Sequence, residues 1–198
     1  RSPTSKVSAV KTLIAIPAFN EEASIGAVLR DLAEHHPMEH VIVIDDGSTD
    51  NTVAVIADYR DRIRYVRTGN GGPARARNVG MAMARGEYIC WLDSDDFFHP
   101  AKLALQSAVL DAHPDVAMVC TECSGFDDHG AWFEYHLQDY HASAYRRGGV
   151  AYDVLFDRAT PIGQVAALRA TLPDGSDWGN RKLYLGRIFD RYLMNTVV

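Results

Sequence analysis

Four short apolar runs punctuate the first half of the chain, and each gives way to a polar loop and then to a helical pattern. The runs are Leu13 to Ile16, Val41 to Ile44, Ile63 to Val66 and Tyr88 to Leu92. The second is apolar at every position, the look of a parallel strand covered on both faces. After the first run, Ile25, Val28, Leu29 and Leu32 recur at i, i+3, i+4 and i+7, the spacing of one helix face, with Asn20 expected as its cap. "STDNT" opens a second helix through Val53, Ile56 and Ala57. A third, after "GNGGP", has a core face of Ala76, Val79, Gly80 and Met83. A fourth is expected near Pro100, and Val116 to Cys120 reads as a fifth strand. Strand and helix alternating over short loops predict an α/β fold with a doubly wound, mostly parallel central sheet.

The rest of the chain is less patterned. "AWFEYHL" reads as a strand and "RKLYLGRIFDRYLMN" as a helix. The expected organisation is residues 1–10 as a disordered or foreign start, 11–123 as an α/β core, and 124–198 as the start of a further region. "YLMNTVV" ends in an apolar β-branched run, unlike a frayed surface terminus, which suggests an element cut short. Net charge is −6 without a basic stripe, which argues against nucleic acid as a partner. No apolar run approaches the ~20 residues of a membrane span. Three cysteines, Cys90, Cys120 and Cys123, make no disulfide framework and suggest a reducing, cytoplasmic setting.

The stretch "WLDSDDFF" (Trp91 to Phe98) poses an electrostatic problem. Two carboxylates ~6 Å apart at an effective dielectric near 20 repel by roughly 3 kcal/mol. Three aspartates in four positions must therefore be open to water, partly protonated or holding a cation. In a parallel sheet all strands aim their C-terminal ends at one edge, where ligands bind. "PAFNEE" (Pro17 to Glu22) follows the first strand, "DDGSTD" (Asp45 to Asp50) the second and "DSDD" (Asp93 to Asp96) the fourth. Topology should gather them on one acidic rim offering oxygen ligands, the preference of Mg²⁺ or Mn²⁺, which commonly bridge to substrate phosphates.

"IPAFNEE", "VIVIDDGSTDNT", "ARNVG" and "GEYICWLDSDD" resemble the successive signatures of family-2 inverting glycosyltransferases of the GT-A fold, over roughly residues 11 to 120. The resemblance implies a Rossmann-like nucleotide-binding core and transfer of a sugar from a nucleotide diphosphate, UDP- or GDP-linked, to an acceptor hydroxyl on a glycan or lipid. It places Pro17, Ala18, Phe19 and Glu21 by the nucleotide and sets Asp46 on the base edge. Arg77 and Asn78 line the nucleotide pocket, as does Ser94. Asp93 faces the ribose or binds Mn²⁺ or Mg²⁺ through water, and Asp95 ligates that metal. Asp96 should point away from the side of Asp95. Relatives are often tethered to the inner membrane surface, so peripheral membrane association is a further expectation.

The resemblance also implies a general base beyond a later Gly-Gly turn, and this chain displays neither, so no catalytic residue is assigned. Asp177 is a weak in-chain candidate. "GNGGPA" fits a dinucleotide fingerprint only loosely, because it follows the third strand instead of the first. "CTEC" lacks a second pair and reads as buried or idle thiols. His99 sits beside the acidic cluster in sequence. Two other functions fit the same core. One is a non-catalytic nucleotide-sugar-binding module. The other is a Mg²⁺-dependent nucleotidyltransferase, which normally has a basic, glycine-rich loop after the first strand.

Overall fold

The computed structural model describes residues 11–121, 123–127, 129–133, 158–169, 172 and 181–185. The chain divides into two units, residues 1–103 and 104–198.

The first unit is built on four strands: β1 (Thr12–Ala18), β2 (Val41–Asp45), β3 (Arg64–Arg67) and β4 (Tyr88–Trp91). They lie in the order β3-β2-β1-β4, and every pairing is parallel. The connections run through α1 (Ile25–His35), α2 (Thr52–Ala57) and α3 (Pro73–Met83). The chain thus steps outward from β1 to β3, then crosses back to β4 on the other side of β1. That reversal opens a crevice beyond the C-terminal ends of the strands.

Side-chain alternation explains why helices are needed on both faces. Ile14, Ile16, Val41 and Val43 meet Ile25, Val28, Leu29 and Leu32 of α1 and Ile56 of α2 on one face. Leu13, Ala15, Ile42 and Ile44 meet Ala76 and Val79 of α3 on the other. β1 and β2 are therefore almost wholly buried, whereas β3 and β4, at the sheet edges, are only half-buried. Each fully buried isoleucine contributes about 1.5–3 kcal/mol relative to exposure, so the central pair anchors the unit. The doubly wound, parallel α/β class expected from the pattern is the one observed.

α4 (Lys102–Ala112) begins in the first unit and continues into the second, which also contains two antiparallel hairpins. β5 (Gly125–Asp127) pairs with β6 (Gly130–Phe133), and β7 (Arg158–Pro161) with β8 (Lys182–Leu185). Two sequence expectations are corrected here. Residues 116–120 form no strand, and Met118 is 58% exposed; the run is apolar, but it lies mostly open to solvent and is no core strand. The helix expected over 181–195 is a strand at Lys182–Leu185, where "KLYL" finds a ladder partner in Arg158–Pro161. Its remainder, residues 186–195, lies outside the described residues, as do Asp177 and residues 134–137 of "AWFEYHL". Among the described residues no helix is long and apolar enough to cross a membrane.

Candidate nucleotide-sugar site

The rim at the C-terminal edge of the sheet is knitted together by the very loops that carry the acidic motifs. The Asp46 N–H donates to the Ala18 carbonyl at 2.8 Å, extending the β1–β2 ladder by one bond. Beyond it, the Asn20 N–H donates to Ser48 Oγ at 3.0 Å and the Thr49 N–H to Asn20 Oδ1 at 2.7 Å. The Glu21 N–H reaches Thr52 Oγ1 at 2.7 Å. Asp50 Oδ2 accepts the Glu22 N–H at 3.1 Å, and Glu22 Oε2 accepts the Asn51 N–H at 2.9 Å. "PAFNEE" and "DDGSTD", about 28 residues apart in sequence, are thus one structural unit.

Asn20 is not the helix cap that its residue type suggested. The cap position of α1 is Ser24, which makes no side-chain capping bond. Asn20 instead adopts φ +59° and turns its amide toward the neighbouring loop. The α2 start is served by Asp50, whose Oδ1 accepts the Thr52 N–H at 3.0 Å and the Thr52 hydroxyl at 2.6 Å.

The two aspartates ending β2 are both buried, and both are saturated by donors of the chain itself. Asp45 accepts the Ser48 N–H at 2.8 Å and the Tyr65 hydroxyl at 2.7 Å, with Arg67 Nε 3.4 Å away. Burial pushes the Asp45 carboxyl up, but these hydrogen bonds and the Arg67 charge outweigh it and hold the group below its ordinary value. Burial, reinforced by the same contact with Asp45, pushes the Tyr65 phenol up to about 12. Arg67 also donates to the Ser48 carbonyl at 2.6 Å. Asp46 accepts from the backbone of the glycine loop: Gly72 N–H at 2.7 Å, Gly71 N–H at 3.0 Å and the Thr68 hydroxyl at 3.1 Å. The loop that imitates a dinucleotide fingerprint thus directs its amides at Asp46. Gly47, between these residues and Ser48, has φ +82°, and a β-carbon there would lie 2.7 Å from the Asn70 nitrogen.

The fourth-strand motif is different. Asp93, Asp95 and Asp96 are all exposed, while Ser94 between the first two is buried. Asp93 Oδ1 accepts from Arg77 Nη2 at 2.7 Å, so α3 and the loop after β4 are brought together. Asn78 is exposed beside Arg77 on the same helix. Pro17 and Ala18 are buried, and Phe19 presents a partly exposed ring at the rim, 44% accessible. Glu21 is half-buried and accepts the Ser24 hydroxyl at 2.6 Å. His99 is exposed, its Nδ1 accepting the Ala101 N–H at 3.2 Å. Cys120 and Cys123, expected to be buried or idle, are both exposed.

Asp93 and Asp95 supply hard oxygen donors. Among the described residues no group of three His, Cys, Asp or Glu side chains is placed to hold a metal. Two carboxylates suit an ion of the Mg²⁺ type, which keeps waters and takes phosphate oxygens to complete its shell. The donor set fits such an ion.

Sequence reasoning missed Tyr65 and Arg67, which hold Asp45, and the amides that saturate Asp46. Their signal was present but faint: both Tyr65 and Arg67 lie on β3, and Arg67 is its last residue, at the edge where the rim forms.

This architecture, a parallel sheet with acid-bearing loops gathered on one edge, is a doubly wound α/β core whose ligand edge lies at the C-terminal ends of its strands. Residues 13–161 match the glycosyl transferase family 2 pattern, and the chain belongs to that family. It is similar to the poly(ribitol-phosphate) beta-N-acetylglucosaminyltransferase TarS of Staphylococcus aureus, 32% identical over 118 residues, or 56% of this chain and 21% of that one. An uncharacterized glycosyltransferase of Rickettsia felis is 40% identical over 99 residues, covering 48% of this chain and 16% of its own. The chain therefore spans about a fifth or less of these relatives' lengths. Among solved structures, S. aureus TarS 1–349 in complex with UDP superposes with a TM-score of 0.49 at 22% identity, over 67% of this chain and 49% of that one.

Proposed function

We propose that this chain is the donor-binding core of a metal-dependent glycosyltransferase, moving a sugar with inversion from a UDP- or GDP-linked donor to a glycan or lipid hydroxyl. The observation carrying this reading is the pairing of a sealed rim with open acids. Asp45 and Asp46 are buried and satisfied, whereas Asp93 and Asp95 are exposed beside Arg77.

In this reading Phe19 lies against the base, with Pro17, Ala18 and Glu21 shaping the loop that carries it. Asp46 shapes the nucleoside side of the site by holding the glycine loop in place. Arg77 and Asn78 line the phosphate path, and Ser94 supports the stretch between the two open acids. Asp95 and Asp93 would hold Mn²⁺ or Mg²⁺, an ion that would supply charge to stabilise the diphosphate leaving group. Arg77 is already aimed at this position by Asp93, so it adds a second positive charge to the developing diphosphate. The acceptor proton passes to a general base, a role to which no residue is assigned.

The test is a panel of nucleotide-sugars incubated with the full-length protein, with and without Mn²⁺. The expected result is release of free nucleotide diphosphate from one donor class, dependent on the ion. Release from none of the UDP- or GDP-linked donors, with the protein folded, contradicts the reading.

A further inference from the structure

Asn20 is the only non-glycine residue among those described with a positive φ, +59°. Asparagine tolerates this region because its short amide can bond to nearby backbone. Here the amide bonds across to another loop. Its Oδ1 accepts the Thr49 N–H at 2.7 Å and the Thr49 hydroxyl at 3.3 Å, while the Asn20 N–H donates to Ser48 Oγ at 3.0 Å. Both ends of one residue are thus tied to the loop that begins with Asp46. Phe19 directly precedes Asn20, and the Ala18 carbonyl accepts the Asp46 N–H at 2.8 Å. The backbone on either side of Phe19 is therefore tied to this loop, by the Ala18 ladder bond before it and by the Asn20 amide after it.

We infer that Asn20 is a positioning residue for donor recognition: its left-handed backbone and cross-loop amide hold the backbone that carries Phe19 beside the Asp46 loop, and this fixes affinity for the nucleoside portion of the donor. The inference rests on the donor-binding role proposed above. Asn20 touches no reacting group, so its loss weakens ground-state binding and leaves the chemical step alone.

The test uses the full-length protein with Mn²⁺ and either UDP or GDP as the probe, read by titration calorimetry beside a melting curve. Asn20→Gly keeps the positive φ and removes the acceptor; Asn20→Asp keeps both. Asn20→Gly is expected to weaken nucleotide binding about tenfold, and Asn20→Asp to recover it to within about threefold. In turnover with the accepted donor, KM rises in Asn20→Gly while kcat stays within about twofold. Unchanged affinity in Asn20→Gly overturns the inference, whatever happens to the melting temperature. So does an Asn20→Asp variant that binds as weakly as Asn20→Gly. If the unmodified protein binds neither nucleotide, the functional reading falls first and the inference with it; if it binds one and Asn20→Gly matches it, only the inference falls.

Discussion

Asp45 and Asp46 at the end of β2, and Asp93 and Asp95 beyond β4, are two acid pairs on one edge of one sheet, in opposite surroundings. The first pair is buried and answered by the chain's own donors: Ser48, Tyr65, Gly71 and Gly72, with Arg67 adding its charge. The second is exposed, and Asp93 has a half-exposed arginine beside it. Charge that is already paired inside the fold shapes the protein. Charge left open to solvent, on a loop held in place by that paired framework, is available to a ligand. The difference separates the residues that build the rim from those that use it.

The contrast breaks most visibly in stability. Asp45→Ala strands the Tyr65 hydroxyl, the Ser48 amide and the Arg67 charge, and is expected to cost about 3 kcal/mol in urea unfolding. A loss below about 1 kcal/mol would mean that the buried acid is not holding the rim together.

Gly47→Ala comes next. A β-carbon 2.7 Å from the Asn70 nitrogen, at φ +82°, is expected to cost about 2 kcal/mol by the same measurement. Wild-type stability in this variant would show that the turn joining Asp46 to Ser48 can relax freely.

A smaller effect sharpens the comparison through pH. The folded Asp45 carboxyl titrates below its ordinary value of 3.8, so its contribution is fully present above that value. It is lost as pH falls from there through the lowered folded value. Unfolding free energy measured against pH should therefore decline on the acid side in the parent protein, and decline less steeply in Asp45→Asn. Identical acid limbs would remove Asp45 from the account.

The smallest change belongs to the open pair. Arg77→Ala removes a solvent-exposed ion pair, and its effect on unfolding is expected to stay within about 0.5 kcal/mol. A loss comparable to that of Asp45→Ala would erase the distinction between builders and users.

Much of this arrangement was legible in the sequence, for a physical reason. β1 and β2 are covered on both faces, so their residues are apolar at nearly every position and stand out as runs. A parallel sheet then obliges the loops after β1, β2 and β4 to share an edge, which is why distant acidic motifs could be brought together on paper. Where coverage fails, so did the reading. Val116 to Cys120 is apolar yet exposed at three of its five positions, and apolarity alone does not report exposure. "KLYL" suits a helix and a strand equally until its ladder partner 20-odd residues earlier is known. Asn20 misled in a different way. Its residue type favours a helix cap, but its actual bonds run to Ser48 and Thr49, and no local pattern announces a contact across 28 residues.

The most direct test of the open acid pair is a melting-temperature shift with UDP or GDP, with and without Mn²⁺, in the parent protein and in Asp95→Ala. The nucleotide should raise the melting temperature only when the ion is present. Asp95→Ala should melt normally without ligand and lose that rise. An equal rise without the ion, or an undiminished one in Asp95→Ala, would contradict the claim that the exposed aspartates carry a cation for the diphosphate.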